Sequence, residues 1–381
     1  MRLKDCHNFH DFRELARKRL PRPIFDYIDG GADDEVTYRR NTESFDSVDL
    51  VPNILRGVAD VDMSVEVLGQ KLALPFYCSP TAVQRLFHYD GENAVAAAAS
   101  AAGTMFGCSS LGTTSMEDLR KKYGTPQIYQ FYFHKDRGLN TAMLARAKEA
   151  GVDVMMLTVD TITGGNRERD LRTGFSIPLK LTLAGMFRFA IKPAWGINYL
   201  THKKFTLPQL DEFVDMSGGS VSIGRYFTDM LDKTMNWDDV AKMVQEWGRP
   251  FALKGVMSVE DAKHAVDIGC AGVVLSNHGG RQLDGSRAPF DQLDEIVQAV
   301  GDRIDVIVDS GFQRGTHILK ALALGAKAVG IGRGYLFPLA AAGQPGVERA
   351  LGLLKTEIER DMQLMGVSRI DQLNRDHLRF R

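Results

Sequence analysis

Short, unbroken apolar runs recur along this chain, each followed by a longer stretch in which apolar residues return every three or four positions. A run without alternation marks a strand buried on both faces, as in a parallel sheet, and the longer period is that of an amphipathic helix. The runs predict strands at 74–79, 105–110, 127–133, 154–160, 251–256, 272–277, 305–309 and 328–332. The helical period predicts helices at 92–102, 115–122, 138–150, 236–247, 258–268, 291–300 and 315–324. Most of these stop against a glycine: Gly151, Gly248, Gly269, Gly301 or Gly325. Glycine is the expected stop because the residue after a helix commonly turns left-handed. Strand-then-helix units repeated in this way predict a (β/α)8 barrel, with a doubly wound sheet as the runner-up, because strand order is not written in the pattern.

Two stretches break the rhythm. Residues 1–60 carry predicted helices at 11–18 and 24–30 and are read as a cap over one barrel end. The connection from Asp160 to Phe251 is far longer than the roughly 2–6 residues usual between strand and helix. Residues 161–235 are therefore read as a lid-like insertion into a single domain spanning 1–381.

Composition narrows the function classes. A formal net charge of -1 gives no support for nucleic-acid binding. Cys6, Cys78, Cys108 and Cys270 lie far apart without metal-ligand spacing, so neither a zinc site nor a disulfide framework is expected, and a reducing compartment is. The first residues mix acids and bases without the apolar core of a secretory signal, and no uncharged apolar run is long enough to cross a bilayer. A cytoplasmic location follows as the expectation.

The chemistry concentrates where strands end, because a barrel of this type builds its active site at the C-terminal ends of its strands. Predicted strand six runs into Ser276-Asn277-His278-Gly279-Gly280-Arg281-Gln282-Leu283-Asp284-Gly285. Histidine moves protons near neutral pH, arginine grips a carboxylate through two hydrogen bonds, and the glycines between them let a ligand approach the backbone. The pair suggests a carboxylic-acid substrate that gives up a proton. The other strand ends offer Thr81 and Ala82, Ser109 and Leu111, Gln130 and Tyr132, Thr158 and Asp160, Lys254, Asp309, and Gly332 with Arg333. Gly311, Gly315, Gly332 and Gly334, with Arg314 or Arg333 for charge, suggest a phosphate grip after the last two strands, for a substrate or for a cofactor. Lys254, in a buried strand, needs an anionic partner or a lowered pKa; it suits a Schiff base, a phosphate contact or a negatively charged cofactor ring.

These residues make the chain resemble, from end to end, the FMN-dependent α-hydroxy-acid dehydrogenases and oxidases. The SNHGGRQLDG run is the family's signature, supported by Phe25-Asp26-Tyr27, Ser79-Pro80-Thr81-Ala82, Gln130-Phe131-Tyr132, Leu157-Thr158-Val159-Asp160, Leu253-Lys254-Gly255 and Gly330-Ile331-Gly332-Arg333. The resemblance implies a TIM barrel, FMN as cofactor, a homotetramer, and oxidation of an L-2-hydroxy acid to the 2-oxo acid. It implies His278 as catalytic base with Asp160 as its partner, and Tyr132 on the substrate oxygen. Arg281, with Tyr27 and Arg167, would hold the substrate carboxylate. Lys254 would face the flavin ring, and Thr81, Ala82, Ser109, Gln130, Thr158 and Ser276 would surround it. Asp309, Gly311, Gln313, Gly332 and Arg333 would hold the ribityl-phosphate end. No metal is implied. The chain departs from the family twice. Gln313 stands where an arginine usually meets the FMN phosphate, and Leu111 stands where plant glycolate oxidases carry a tryptophan in the substrate wall.

From Leu171 to Leu210 no acidic residue occurs, while Arg172, Lys180, Arg188, Lys192, Lys203 and Lys204 do, among apolar and aromatic residues such as Phe187, Trp195 and Leu200. Such a segment suits an anionic membrane surface or the basic face of an ordinary lid. It is similar to the matching segment of bacterial mandelate and lactate dehydrogenases, which implies a peripheral enzyme on the inner face of the cell membrane. The resemblance starts within the first residues, so no N-terminal haem domain is expected. A quinone, a cytochrome or oxygen remain as acceptors. L-Lactate is the expected substrate; a mandelate-type dehydrogenase and a soluble oxidase producing hydrogen peroxide are the alternatives within the family. An FMN barrel of the isomerase type and a non-catalytic FMN- or anion-binding protein are the alternatives outside it.

Overall fold

The computed structural model describes residues 1–175, 192–202, 204, 206–211 and 229–381. Lys180, Arg188, Lys203 and Phe187 of the basic segment lie outside the described residues.

Eight parallel strands close into a barrel: β1 (Phe76–Thr81), β2 (Phe106–Ser109), β3 (Gln127–Tyr132), β4 (Val154–Thr158), β5 (Phe251–Val256), β6 (Gly272–Leu275), β7 (Asp305–Val308) and β8 (Ala328–Ile331). Each pairs with its neighbours in chain order, and β8 closes on β1 through Val329 opposite Phe76. This is the (β/α)8 TIM barrel expected from the pattern, and the doubly wound sheet is excluded by closure. All eight predicted strands are present. Six of the predicted ends reach one or two residues too far, because polar residues that face the barrel mouth continue the apolar run without belonging to the ladder; β5 has its predicted bounds, and β1 runs two residues past its predicted end.

Around the barrel lie α4 (Gly91–Ala101), α5 (Met116–Lys122), α6 (Arg137–Glu149), α9 (Trp237–Trp247), α10 (Val259–Asp267), α11 (Pro289–Val300), α12 (Gly315–Ala323) and α13 (Arg333–Ala342), followed by the long α14 (Gln344–Met365). The cap is α1 (Phe9–Arg19), α2 (Arg22–Asp29) and α3 (Val36–Glu43); α7 (Glu168–Thr173) and α8 (Pro193–Thr201) belong to the insertion. Helix starts follow side-chain chemistry: Ser115, Asp136, Asn236 and Ser258 each accept a first-turn backbone N–H. Gly248 turns left-handed at the end of α9, as the sequence suggests.

The barrel interior is apolar at its N-terminal end. Tyr77, Met105, Ile128, Val154, Met156, Ala252, Val274, Ile307 and Ala328 pack there with Val67, Leu68 and Leu72 from the small hairpin that plugs it. Asp305 fixes the plug by accepting the Leu68 N–H at 2.6 Å. Side chains alternate across a strand, so the residue two positions further faces the same interior, one layer up. From Ile128 that step leads to Gln130, from Met156 to Thr158, from Ala252 to Lys254, from Val274 to Ser276 and from Ile307 to Asp309. The same period that builds the core therefore stacks a polar layer on it.

In the insertion, Trp195 and Tyr199 stack at 5.0 Å and pack against the core, with the Trp195 indole N–H on the Leu86 carbonyl at 3.0 Å. Of the apolar residues read as membrane-facing, these two point inward. Ile197 and Leu200 of the same helix are 62% and 81% exposed, and Leu171 is also exposed. Among the described residues no helix is long and apolar enough to cross a membrane.

Candidate active site

The polar layer is knitted by hydrogen bonds. The Ser109 hydroxyl donates to Gln130 Oε1 at 2.8 Å, and Gln130 Nε2 donates to Thr158 Oγ1 at 2.8 Å. Lys254 is 5% exposed and gives its ammonium to Ser276 Oγ at 2.8 Å and to the Asp309 carboxylate at 3.3 Å. A buried cation needs such partners, and an ammonium has three N–H donors, so these two partners leave one to reach into the space above.

That space is a cleft with about 1490 Å³ of empty volume, its outer part open to solvent. The residues that the resemblance assigns to substrate and cofactor line it, except Asp160 and Ser276, which stand directly behind His278 and Lys254; Gly315 and Arg314, read as part of a phosphate grip, do not line it.

Past the end of β6 the chain turns so sharply that His278 takes a left-handed φ of 58°. A non-glycine residue there is strained, and such strain gathers at functional sites. Ser276 Oγ accepts the His278 backbone N–H at 3.1 Å and helps hold the turn. The imidazole Nδ1 lies 3.1 Å from Asp160 Oδ1, and the Thr161 hydroxyl donates to that same oxygen at 2.8 Å. Burial alone would raise the Asp160 pKa, but His278, Lys254 and Thr161 hold it below the ordinary carboxylate value. A carboxylate that stays ionised fixes the proton on Nδ1 and leaves Nε2 with a lone pair. Gly255 makes this approach possible, since a Cβ there would lie 2.6 Å from the Asp160 Cβ.

Arg281 is anchored by backbone: its Nη1 donates to the carbonyls of Tyr27 at 2.6 Å and Gly30 at 3.0 Å. Among the described residues no carboxylate forms an ion pair with it. Arg167 pairs with Asp170 at 3.2 Å, and the two guanidinium groups lie 5.0 Å (Arg281) and 5.2 Å (Arg167) from the Tyr27 ring. Burial, then the like charge of Arg167, push the Arg281 pKa down to about 9. The guanidinium still keeps its proton at neutral pH. Burial pushes the Tyr132 phenol up, so it stays a hydrogen-bond donor. Leu111, fully buried, forms the wall nearby with Phe87.

At the opposite, glycine-rich end lie Gly311, Gln313, Gly332 and Arg333. Arg333 donates to the carbonyls of Ile28, Gly279 and Gly30, each at 2.8 Å. Arg314, expected as a possible source of charge here, is instead paired with Glu357 at 2.9 Å and does not line the cleft, because Glu357 of α14 reaches the start of α12 first. The sequence reading missed Tyr38, Asn41 and Thr42, which α3 lowers into this end. Asn41 and Asn277 exchange amide hydrogen bonds at 2.9 and 2.6 Å, tying the cap to the His278 turn. The only sequence signal for them is a short polar stretch, without the apolar period that marks a helix.

The cleft suits a long ligand with a flat polar ring and an anionic tail. The ring end is lined by hydrogen-bonding side chains, among them Ser109, Gln130, Thr158 and Lys254. A Cβ on Gly332 would meet nothing within 4 Å, and α13 begins there with no side-chain cap. A polar layer at the ring end, with the Lys254 ammonium in it, and an open helix start at the tail end fit FMN.

The pattern of a family described as FMN-dependent dehydrogenase matches residues 16–380. The chain is 38% identical to an L-lactate oxidase of Nostoc sp., covering 97% of each chain. It is also 38% identical to glycolate oxidase of Spinacia oleracea, covering 97% of this chain and 95% of that one. A crystal structure of the monotopic membrane protein (S)-mandelate dehydrogenase superposes with a TM-score of 0.93 at 34% identity, over 99% of this chain and 100% of that one. The chain belongs to the FMN-dependent dehydrogenase family, with FMN as its cofactor.

Proposed function

We propose that the protein is an L-lactate dehydrogenase, with a membrane quinone or a cytochrome as the final electron acceptor, and that the residues brought together above carry the reaction. The coarser activity, FMN-dependent oxidation of a 2-hydroxy acid, follows from family membership. The observation that carries the hydroxy-acid chemistry is the pairing, in one cleft, of His278, held through Nδ1 by Asp160, with Arg281, which no carboxylate pairs among the described residues; the choice of L-lactate leans on the apolar wall.

When bound, FMN supplies the two-electron acceptor. The chain's own residues do the rest. Arg281 takes the substrate carboxylate, with Arg167 and Tyr27 closing around it. This supplies a counter-anion and fixes the α-carbon in place. The Tyr132 phenol donates to the substrate oxygen. His278 Nε2 takes a proton from the α-carbon or from the hydroxyl, and Asp160 stabilises the imidazolium that results. Lys254 presents positive charge to the ring, backed by Ser276 and Asp309.

The wall supports an acid with a small apolar side chain: Leu111, just past the end of β2, and Phe87, after the turn that follows β1, are both buried. A mandelate-type substrate is the second reading, favoured by the close superposition on (S)-mandelate dehydrogenase. The test is an anaerobic visible spectrum with L-lactate, mandelate and glycolate added in turn. Bleaching by L-lactate at the lowest concentration is expected. Preferential bleaching by mandelate transfers the assignment to the second reading. Rapid re-oxidation by air, with hydrogen peroxide formed, replaces the dehydrogenase by an oxidase.

A further inference from the structure

Two helix starts face the glycine-rich end of the cleft, and they are not equivalent. At α12 the position is taken by the protein's own carboxylate: Glu357 accepts the Gly315 N–H at 2.7 Å and holds Arg314 at 2.9 Å. The charge of Arg314 is thereby committed to α14. At α13 the first turn is uncapped and Gly332 leaves open space. An uncapped helix start of this kind attracts a phosphate.

The side chains around it bring little charge. Gln313 is neutral, and its amide is held by Thr42 Oγ1 at 3.1 Å. The Thr42 hydroxyl in turn donates to the Gly311 carbonyl at 3.1 Å, so it cannot also donate to an anion. Arg333 is the cation at this end among the described residues, and three carbonyls already share its donors. A phosphate monoester carries close to two negative charges at neutral pH.

We propose that this chain under-compensates the phosphate of its flavin, through Gln313 and the diversion of Arg314 to Glu357, so that FMN is exchangeable and only modestly preferred over riboflavin. The proposal rests on placing the phosphate at the α13 start. It predicts a cofactor affinity set mostly by the ring and its polar layer.

The test reads flavin fluorescence: release of FMN on dilution of the holoenzyme, then titration of the stripped protein with FMN and with riboflavin. The wild type is expected to prefer FMN by less than about 10²-fold, the upper worth of one charge-assisted contact, and a larger preference overturns the proposal. Gln313→Arg is expected to tighten FMN by about 10-fold or more while leaving riboflavin within about 2-fold, and an unchanged ratio overturns the proposal. Arg314→Gln is expected to leave both affinities in place; a selective loss of FMN there shows that Arg314 does serve the phosphate and also overturns it. Arg333→Gln checks the placement itself. It should weaken FMN and spare riboflavin, and equal effects on both would refute the site rather than the grip. Thermal melting of each variant establishes that it folds.

Discussion

At the scale of single residues, the site separates a group that handles the proton from a group that keeps it ready. His278 lines the cleft, whereas Asp160 does not and acts through the Nδ1 contact at 3.1 Å. Replacing His278 by alanine removes the proton acceptor and leaves the polar layer around the ring untouched. Turnover should fall by at least about 10²–10⁴-fold, the usual worth of a general base, with the visible flavin spectrum retained. Loss of the flavin together with activity would show that His278 is structural. Asp160→Asn should cost less than His278→Ala, because Nε2 remains in place and only the charge behind it is lost. Equal losses would mean that the imidazole works as a base only while Asp160 fixes its tautomer and charge.

At the scale of elements, the cap is stapled to the insertion by charge. Asp29 of α2 accepts from Arg13 of α1 at 2.5 Å and from Arg169 of α7 at 2.9 Å, and Arg169 also holds Glu35 at 2.5 Å. Burial would raise the Asp29 pKa, yet the bond to Arg13 and the charges of Arg13, Arg333 and Arg169 keep it below the ordinary value of 3.8. A carboxylate with a depressed pKa stabilises the fold at pH values above its unfolded pKa, and the contribution fades as pH falls through the folded one. Asp29→Asn should therefore cost about 1–2 kcal/mol near neutral pH, a value discounted from that of a fully buried pair because both arginines keep contact with water. The gap in melting temperature from the wild type should close below about pH 4, and a gap independent of pH would assign the loss to packing instead. The cap is also where sequence reading was weakest. Strands β1 to β8 were legible because burial on both faces leaves an unbroken apolar run, and helices such as α9 because Asn236 and Gly248 bracket them. The helix α3 was not, since its buried residues Thr37 and Asn41 are polar and meet the rest of the protein through hydrogen bonds. The charge of Arg314 was misplaced for a related reason: its partner Glu357 lies on α14, more than forty positions further on, and no local pattern announces that contact.

At the scale of the whole molecule, a chain of formal net charge -1 keeps one basic, acid-free stretch, and its described part is two-sided. On α8, Trp195 and Tyr199 are four residues apart and face the core, while Ile197 and Leu200, three apart, face outward; the Lys192 ammonium sits on the Arg17 and Lys18 carbonyls at the start of the helix, and Lys204, just past its end, is exposed. Helical spacing puts each pair on one face. An exposed apolar face in a basic segment gains from lipid in two ways, by burying the apolar side chains and by about 1 kcal/mol per basic residue near an anionic surface. The protein should thus co-sediment with vesicles containing anionic lipid and be released by salt, which screens the second term and not the first. Ile197→Asp combined with Leu200→Asp should abolish sedimentation while leaving turnover with a soluble dye acceptor in place, because neither residue lines the cleft. Equal binding of wild type and variant, or no binding to anionic vesicles at all, would turn this face into an ordinary lid surface. The electron acceptor would then be sought among soluble partners. A variant that loses both sedimentation and turnover with a quinone, yet keeps turnover with the dye, would tie the exposed face of α8 to delivery of the acceptor.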